Sequence, residues 1–126
     1  MTSFTIHYGY PTIHKLMENL DKKYKKGTLS KDEKKQLKLY VKCFHQLSQN
    51  PKYPGLKTHE IEVLSKKYGV KVWQSYLQNG TPAAGRVFWL YGPARGDITI
   101  CAIEPHPDPR KYGQVTLSTT LMPNDP

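Results

Sequence analysis

Between residues 13 and 47 the chain carries two apolar stripes at helical spacing, with a stop signal and a start signal between them. Ile13, Leu16, Met17, Leu20 and Tyr24 form the first stripe; Leu37, Tyr40, Val41, Phe44 and Leu47 form the second. Pro11 stands where the first helix would begin, a position that tolerates a missing N–H. Gly27 is placed to end that helix in a left-handed cap. Ser30-Lys31-Asp32-Glu33 has the form of a capping box, and Asn50-Pro51 stops the helix it opens. Two helices joined by about three residues fold back as an antiparallel hairpin. The apolar side of such a hairpin needs a second layer to cover it.

Strands are the expected second layer. Residues 4–10 alternate Phe4, Ile6 and Tyr8 against Thr5, His7 and Gly9. After Pro54-Gly55, residues 56–64 alternate loosely, and residues 70–77 are rich in β-formers. Residues 86–91 and 97–103 are near-continuous apolar runs across a turn, which predicts a buried central hairpin. Residues 114–117 regain a short strand-like stretch behind a proline-rich segment. The order β-α-α-β-β-β predicts an α+β fold. In it an N-terminal strand joins a small antiparallel sheet, the helical hairpin packs on one face, and the other face is free to bind. A length of 126 residues suits one domain and is short for two. No repeat or linker divides the chain, so residues 1–126 are expected to fold as a single domain.

The charge narrows the partners. Lys and Arg number 19 against 10 acidic residues, a net charge of +9. Ten lysines lie between Lys15 and Lys42, where only Glu18, Asp21, Asp32 and Glu33 oppose them. Such a surface favours polyanions: nucleic acid, the ribosome or an acidic protein. Lys31, Lys35, Lys38 and Lys42 share the outer face of the second helix and are expected to contact RNA. No apolar run approaches the roughly 20 residues of a membrane-spanning helix, so no membrane partner is expected. The first residues lack the basic and apolar regions of a signal peptide. Cys43 and Cys101 make no disulfide framework, and a reducing cytoplasm is the expected compartment.

The densest chemistry is Glu104-Pro105-His106-Pro107-Asp108-Pro109-Arg110-Lys111-Tyr112, directly after the last apolar run. Cleaving RNA through its own 2′-hydroxyl needs a base for that proton, an acid for the departing 5′-oxygen and cations for the phosphorane. A histidine near neutrality suits the proton transfers, and Arg110 and Lys111 are candidate RNA contacts. The plainer alternative is a polar loop whose His106 hydrogen-bonds a carbonyl. Arg86 opens an otherwise apolar strand and could grip a phosphate through two hydrogen bonds, or form a rim ion pair with Glu104. Lys57-Thr58-His59 offers a second histidine with a cation, Lys71 is a further cation, and Tyr76 and Tyr91 are candidate platforms for bases. Glu104, His106 and Asp108 have no cysteine or second histidine at ligand spacing, so no metal and no cofactor are expected.

Together these residues resemble the RelE/ParE toxin superfamily. The resemblance rests on the element order, Asn50-Pro51, Gly55-Leu56-Lys57-Thr58-His59, Gly85-Arg86-Val87-Phe88-Trp89 and Glu104-Pro105-His106 followed by Tyr112. It covers residues 4 to about 117. It implies that Arg86 clamps the scissile phosphate, His106 transfers the proton and Tyr112 orients or stacks the nucleotide. It also implies a toxin of a type II toxin–antitoxin pair, an endoribonuclease that cuts mRNA on the ribosome. Its partner would be an acidic or partly disordered antitoxin. The chain departs from the RelE pattern before the arginine, where Val72-Trp73-Gln74-Ser75-Tyr76 has only Lys71 nearby in place of two strand lysines. That leaves His59 or Lys57 as substitutes for the general base. It also leaves open the ParE branch, which blocks gyrase by occupancy, and a non-catalytic protein- or RNA-binding relative.

Overall fold

The computed structural model describes residues 3–78, 85–105 and 108–119. The chain runs β1 (Thr5–Tyr8), α1 (Thr12–Lys26), α2 (Lys31–Gln49), a 3-10 turn (Pro54–Leu56), β2 (His59–Glu60) and α3 (Glu62–Tyr68). It continues through β3 (Trp73–Tyr76), β4 (Arg86–Tyr91), β5 (Asp97–Glu104) and a second 3-10 turn (Pro109–Gln114).

The helical hairpin forms where its caps predict. Ser30 Oγ accepts the Glu33 N–H, Glu33 Oε1 accepts the Ser30 N–H, and Gly27 closes α1 at φ 70°. Lys23 Nζ reaches Glu33 Oε2 at 2.7 Å and ties the two helices together. That contact, followed by the Ser30 N–H, lowers the Glu33 carboxyl to about 2. Pro11 caps α1 without a side-chain bond, and the Thr12 N–H instead donates to Ser118 Oγ at 3.3 Å from the far end of the chain.

The five strands form one sheet in the order β1-β5-β4-β3-β2. The predicted sheet was wholly antiparallel, but this one is mixed: β1 runs parallel to β5, with Ile6 opposite Ile98, while every other pair is antiparallel. The reason is chain length, because nearly all the intervening chain separates β1 from β5 and parallel pairing needs a long connection. Two further expectations are corrected. Residues 56–64 contribute only a two-residue strand and then turn into α3, and 114–117 leave the second 3-10 turn without forming a strand. Ile61, Leu64 and Tyr68 follow a helical period, and Gly69 closes the helix at φ 71° behind Lys66 and Lys67.

The second sheet face is covered, not free. Ile13, Met17, Leu20, Phe44 and Leu47 of the hairpin pack against Val87, Trp89, Ile98 and Ile100. On the opposite face Ile61 and Leu64, with Tyr112, Val115 and Leu117, pack against Phe88, Cys101 and Ala102. The central strands are apolar on both sides, so each side requires a cover. A bulge supports this. Phe88 pairs with Ala102 and Trp89 with Ile100, which leaves Cys101 unmatched on β4, and its carbonyl accepts the Ser118 N–H at 2.9 Å.

One buried polar chain crosses the hairpin-side core. Trp89 Nε1 lies 2.8 Å from Ser75 Oγ, Ser75 Oγ lies 2.8 Å from Thr58 Oγ1, and Thr58 Oγ1 lies 2.7 Å from the Pro51 carbonyl. An indole N–H only donates and a carbonyl only accepts, so all three protons point from Trp89 toward Pro51.

Candidate functional site

Arg86 starts β4 on the sheet face that carries α3, because Val87 and Trp89 take the hairpin side. Its neighbours on that face follow from the register: Tyr76 on β3 and Glu104 on β5 lie directly opposite it. The guanidinium carbon stands 3.5 Å from the centroid of the Tyr76 ring, a close cation–π contact. Only 7% of Arg86 is exposed. The next row on the same face is Ala102, Phe88, Gln74 and His59. Tyr112 meets Phe88 edge-on at 5.4 Å, which seats it one row from Arg86.

His59 is exposed on β2, and its Nδ1 lies 2.9 Å from the Lys57 carbonyl. A carbonyl can only accept, so Nδ1 donates in this contact and Nε2 is the ring nitrogen left to exchange a proton. The Lys57 backbone that supplies this carbonyl is left-handed, at φ 50°, a conformation uncommon outside glycine. His59 and Arg86 are separated by one strand and one row, so their backbones stand roughly 12 Å apart across the sheet. A cavity of about 190 Å³ opens beside Glu104, lined also by Asp108, Lys111, Tyr112, Gln114 and Val115.

The predicted residues divide accordingly. Arg86, Tyr76, Tyr112 and His59 share one sheet face, with Lys57 next to His59 and Lys111 on the cavity wall. Arg110 is exposed, but its guanidinium is held on Asp108 by two contacts of 3.1 Å, which also keep the Asp108 carboxyl below its ordinary range. Lys71 and Tyr91 do not belong with Arg86. Antiparallel pairing sets Arg86 against Tyr76, so Lys71, ahead of β3, and Tyr91, ending β4, lie at the other end of the strands. Tyr91 packs there on Trp89 and Phe4. Lys31, Lys35, Lys38 and Lys42 are exposed on α2, behind the opposite face of the sheet. His106 lies outside the described residues.

One residue joins the site that residue type alone did not single out. Gln74 is buried between Phe88 and His59, and among the described residues its Nε2 has no hydrogen-bond partner. The period-two reading of residues 72–76 places it beside Tyr76's face and could have found it. Glu104 brings a carboxylate opposite Arg86. Cys43 and Cys101 are excluded as nucleophiles: burial pushes both thiols up to about 12, far from thiolate at neutral pH. No group of three His, Cys, Asp or Glu among the described residues could hold a metal ion. No helix among them is long and apolar enough to cross a membrane.

One sheet face therefore carries a fixed cation stacked on Tyr76, an exposed histidine, a carboxylate opposite the cation and a tyrosine, and of these Glu104 and Tyr112 line the cavity. This set can bind a phosphodiester and move a proton. No family model, curated protein or solved structure matches the chain.

Proposed function

We propose that this chain is a metal-independent endoribonuclease of the RelE/ParE kind, the toxin of a toxin–antitoxin pair, cutting mRNA on the ribosome and restrained by an acidic, partly disordered antitoxin. One observation carries the reading: Arg86, stacked on Tyr76, shares a sheet face with His59 and Tyr112. In the reaction His59 Nε2 takes the proton of the RNA 2′-hydroxyl, and the freed oxygen attacks the adjacent phosphorus. Arg86 stabilises the charge that builds on the phosphoryl oxygens. The 5′-oxygen leaves with a proton, which the family resemblance assigns to His106, and a cyclic phosphate and a 5′-hydroxyl result. The net charge of +9 adds a sequence-independent attraction to RNA.

The burial of Arg86 and Tyr112 favours a second reading, in which the same fold acts by occupancy on a protein target without chemistry. Primer extension on an mRNA incubated with translating ribosomes and the purified protein separates the two. Defined cuts that fall by about 10²–10³ in rate with Arg86→Ala and by about 10²–10⁴ with His59→Ala support the nuclease. Intact mRNA alongside growth arrest in a host expressing the chain establishes the second reading instead.

A further inference from the structure

Glu104 ends β5 directly opposite Arg86 and lines the cavity of about 190 Å³ on that face. The Arg86 guanidinium is stacked toward β3, on Tyr76, and among the described residues no ion pair or hydrogen bond holds the Glu104 carboxylate. The second acid at the cavity differs. Asp108 is already engaged, accepting the Arg110 backbone N–H and its guanidinium in contacts of 3.1 Å. Lys111 and Gln114 are exposed on the wall and supply donors, and among the described residues no direct ion pair holds Lys111. Tyr112 and Val115, both buried, supply the apolar part of the lining. The cavity is smaller than the roughly 300–1,000 Å³ of drug-sized sites, so its guest is one small ring system.

We infer that this cavity is a guanine subsite, in which Glu104 selects the base beside the phosphate held by Arg86. The inference rests on the ribonuclease reading and names the base that the site prefers. A carboxylate only accepts, through two parallel oxygens, and an ammonium only donates. Guanine alone of the four RNA bases sets two adjacent donors, N1–H and the 2-amino group, next to an acceptor, O6, on one edge. Uracil sets its single N3–H between two carbonyls, and adenine and cytosine set a ring-nitrogen lone pair beside the amino group. Each of these would turn a lone pair toward Glu104. A simple cation would suit Glu104 and Asp108 but not Lys111 beside them. Bases splayed out of a single strand are read on this same edge. Facing residues of paired strands stand about 5 Å apart, which puts the subsite next to the Arg86 phosphate and not several nucleotides away.

The test uses the full chain and labelled deoxyuridine oligonucleotides, which lack the attacking hydroxyl and stay intact: one unmodified, and three carrying a single guanine, hypoxanthine or adenine. Fluorescence anisotropy is expected to show the guanine probe bound at least about tenfold more tightly than the other three. Hypoxanthine keeps N1–H and O6 and lacks only the 2-amino group, so its weaker binding reads the Glu104 contact without altering the protein. Glu104→Gln, which offers one acceptor oxygen in place of two, is expected to abolish the guanine preference, with unchanged circular dichroism verifying that it folds. Equal binding of the guanine and hypoxanthine probes, a preference that survives Glu104→Gln, or no binding of any probe overturns the inference. So does guanosine monophosphate bound as tightly as the guanine probe, which assigns the cavity to a free nucleotide. Primer extension keeps the two readings apart. A guanine preference alongside intact mRNA on translating ribosomes supports the subsite and overturns the nuclease, whereas defined cuts with no guanine bordering them support the nuclease and overturn the subsite.

Discussion

Ser75 stands between a donor and an acceptor that cannot exchange roles, the Trp89 indole and the Thr58 hydroxyl committed to Pro51. Ser75→Ala strands the indole N–H in a site with no exposure, and a buried donor left unmade costs about 1–3 kcal/mol. Urea denaturation of the variant is expected to show a loss in that range, and wild-type stability would refute the polar chain. Tyr112 poses a different question, because packing and chemistry both fall on one side chain. Its ring sits edge-on to Phe88, so Tyr112→Phe should keep most of the stability, whereas Tyr112→Ala should lose about 3 kcal/mol. If Tyr112→Phe also retains full RNA cleavage, the hydroxyl has no part in the reaction and the residue is a core side chain. Residue type and local spacing made Arg86, Tyr76 and His59 legible in the sequence. They did not reveal that antiparallel pairing would send Lys71 and Tyr91 to the opposite strand end, since register depends on turn geometry and long-range pairing.

At the scale of elements, α1 and α2 are joined by the Glu33 carboxylate, which serves the capping box through Oε1 and the Lys23 ammonium through Oε2. Its carboxyl is lower in the folded chain than in the unfolded one, so protonation favours unfolding. The stabilisation is complete above its ordinary value of 4.5 and is lost as pH falls toward about 2. A stability–pH curve should therefore decline through that window, and Glu33→Gln should flatten this part of the decline. Ser30→Ala should cost about 1 kcal/mol at neutral pH as well, because the cap is lost whatever the charge. An unaltered acid limb in Glu33→Gln would show that the Lys23 contact contributes nothing in solution. The hairpin was legible because its signals are local: a period, a glycine, a capping box and a proline. α3 was missed although Ile61, Leu64 and Tyr68 keep a helical period, because at seven residues it is too short for periodicity to outweigh Val63 and the apparent alternation around it. Its helical state is fixed by what it covers, Phe88 and Ala102, which lie far along the chain.

For the molecule as a whole, the decisive fact is that two cores share one pair of strands. Val87 and Trp89 serve the hairpin side while Phe88, between them, serves the α3 side; Ile100 and Cys101 divide in the same way on β5. Neither cover can leave without exposing a face of β4 and β5, and the C-terminal segment binds both ends of the chain through Ser118, on Thr12 and on Cys101. The sequence showed this only as apolar runs too continuous for a one-sided sheet. Such runs mark strands buried on both faces, which already argues against an open binding face. The expected consequence is one cooperative unfolding transition. Leu20→Ala in the hairpin core and Leu64→Ala in the α3 core should each cost about 2–5 kcal/mol, and each should lower the stability of both cores together. The emission of Trp73 and Trp89, stacked together, reports on the hairpin side, and in a Cys43→Ala background the Cys101 thiol reports on the other. Tryptophan emission and thiol labelling are expected to follow one urea transition in both leucine variants. Separated midpoints, with Leu64→Ala exposing Cys101 while Trp89 stays buried, would mean that the α3 cover opens on its own. In that case Phe88 and Cys101 beneath α3 would become accessible without global unfolding.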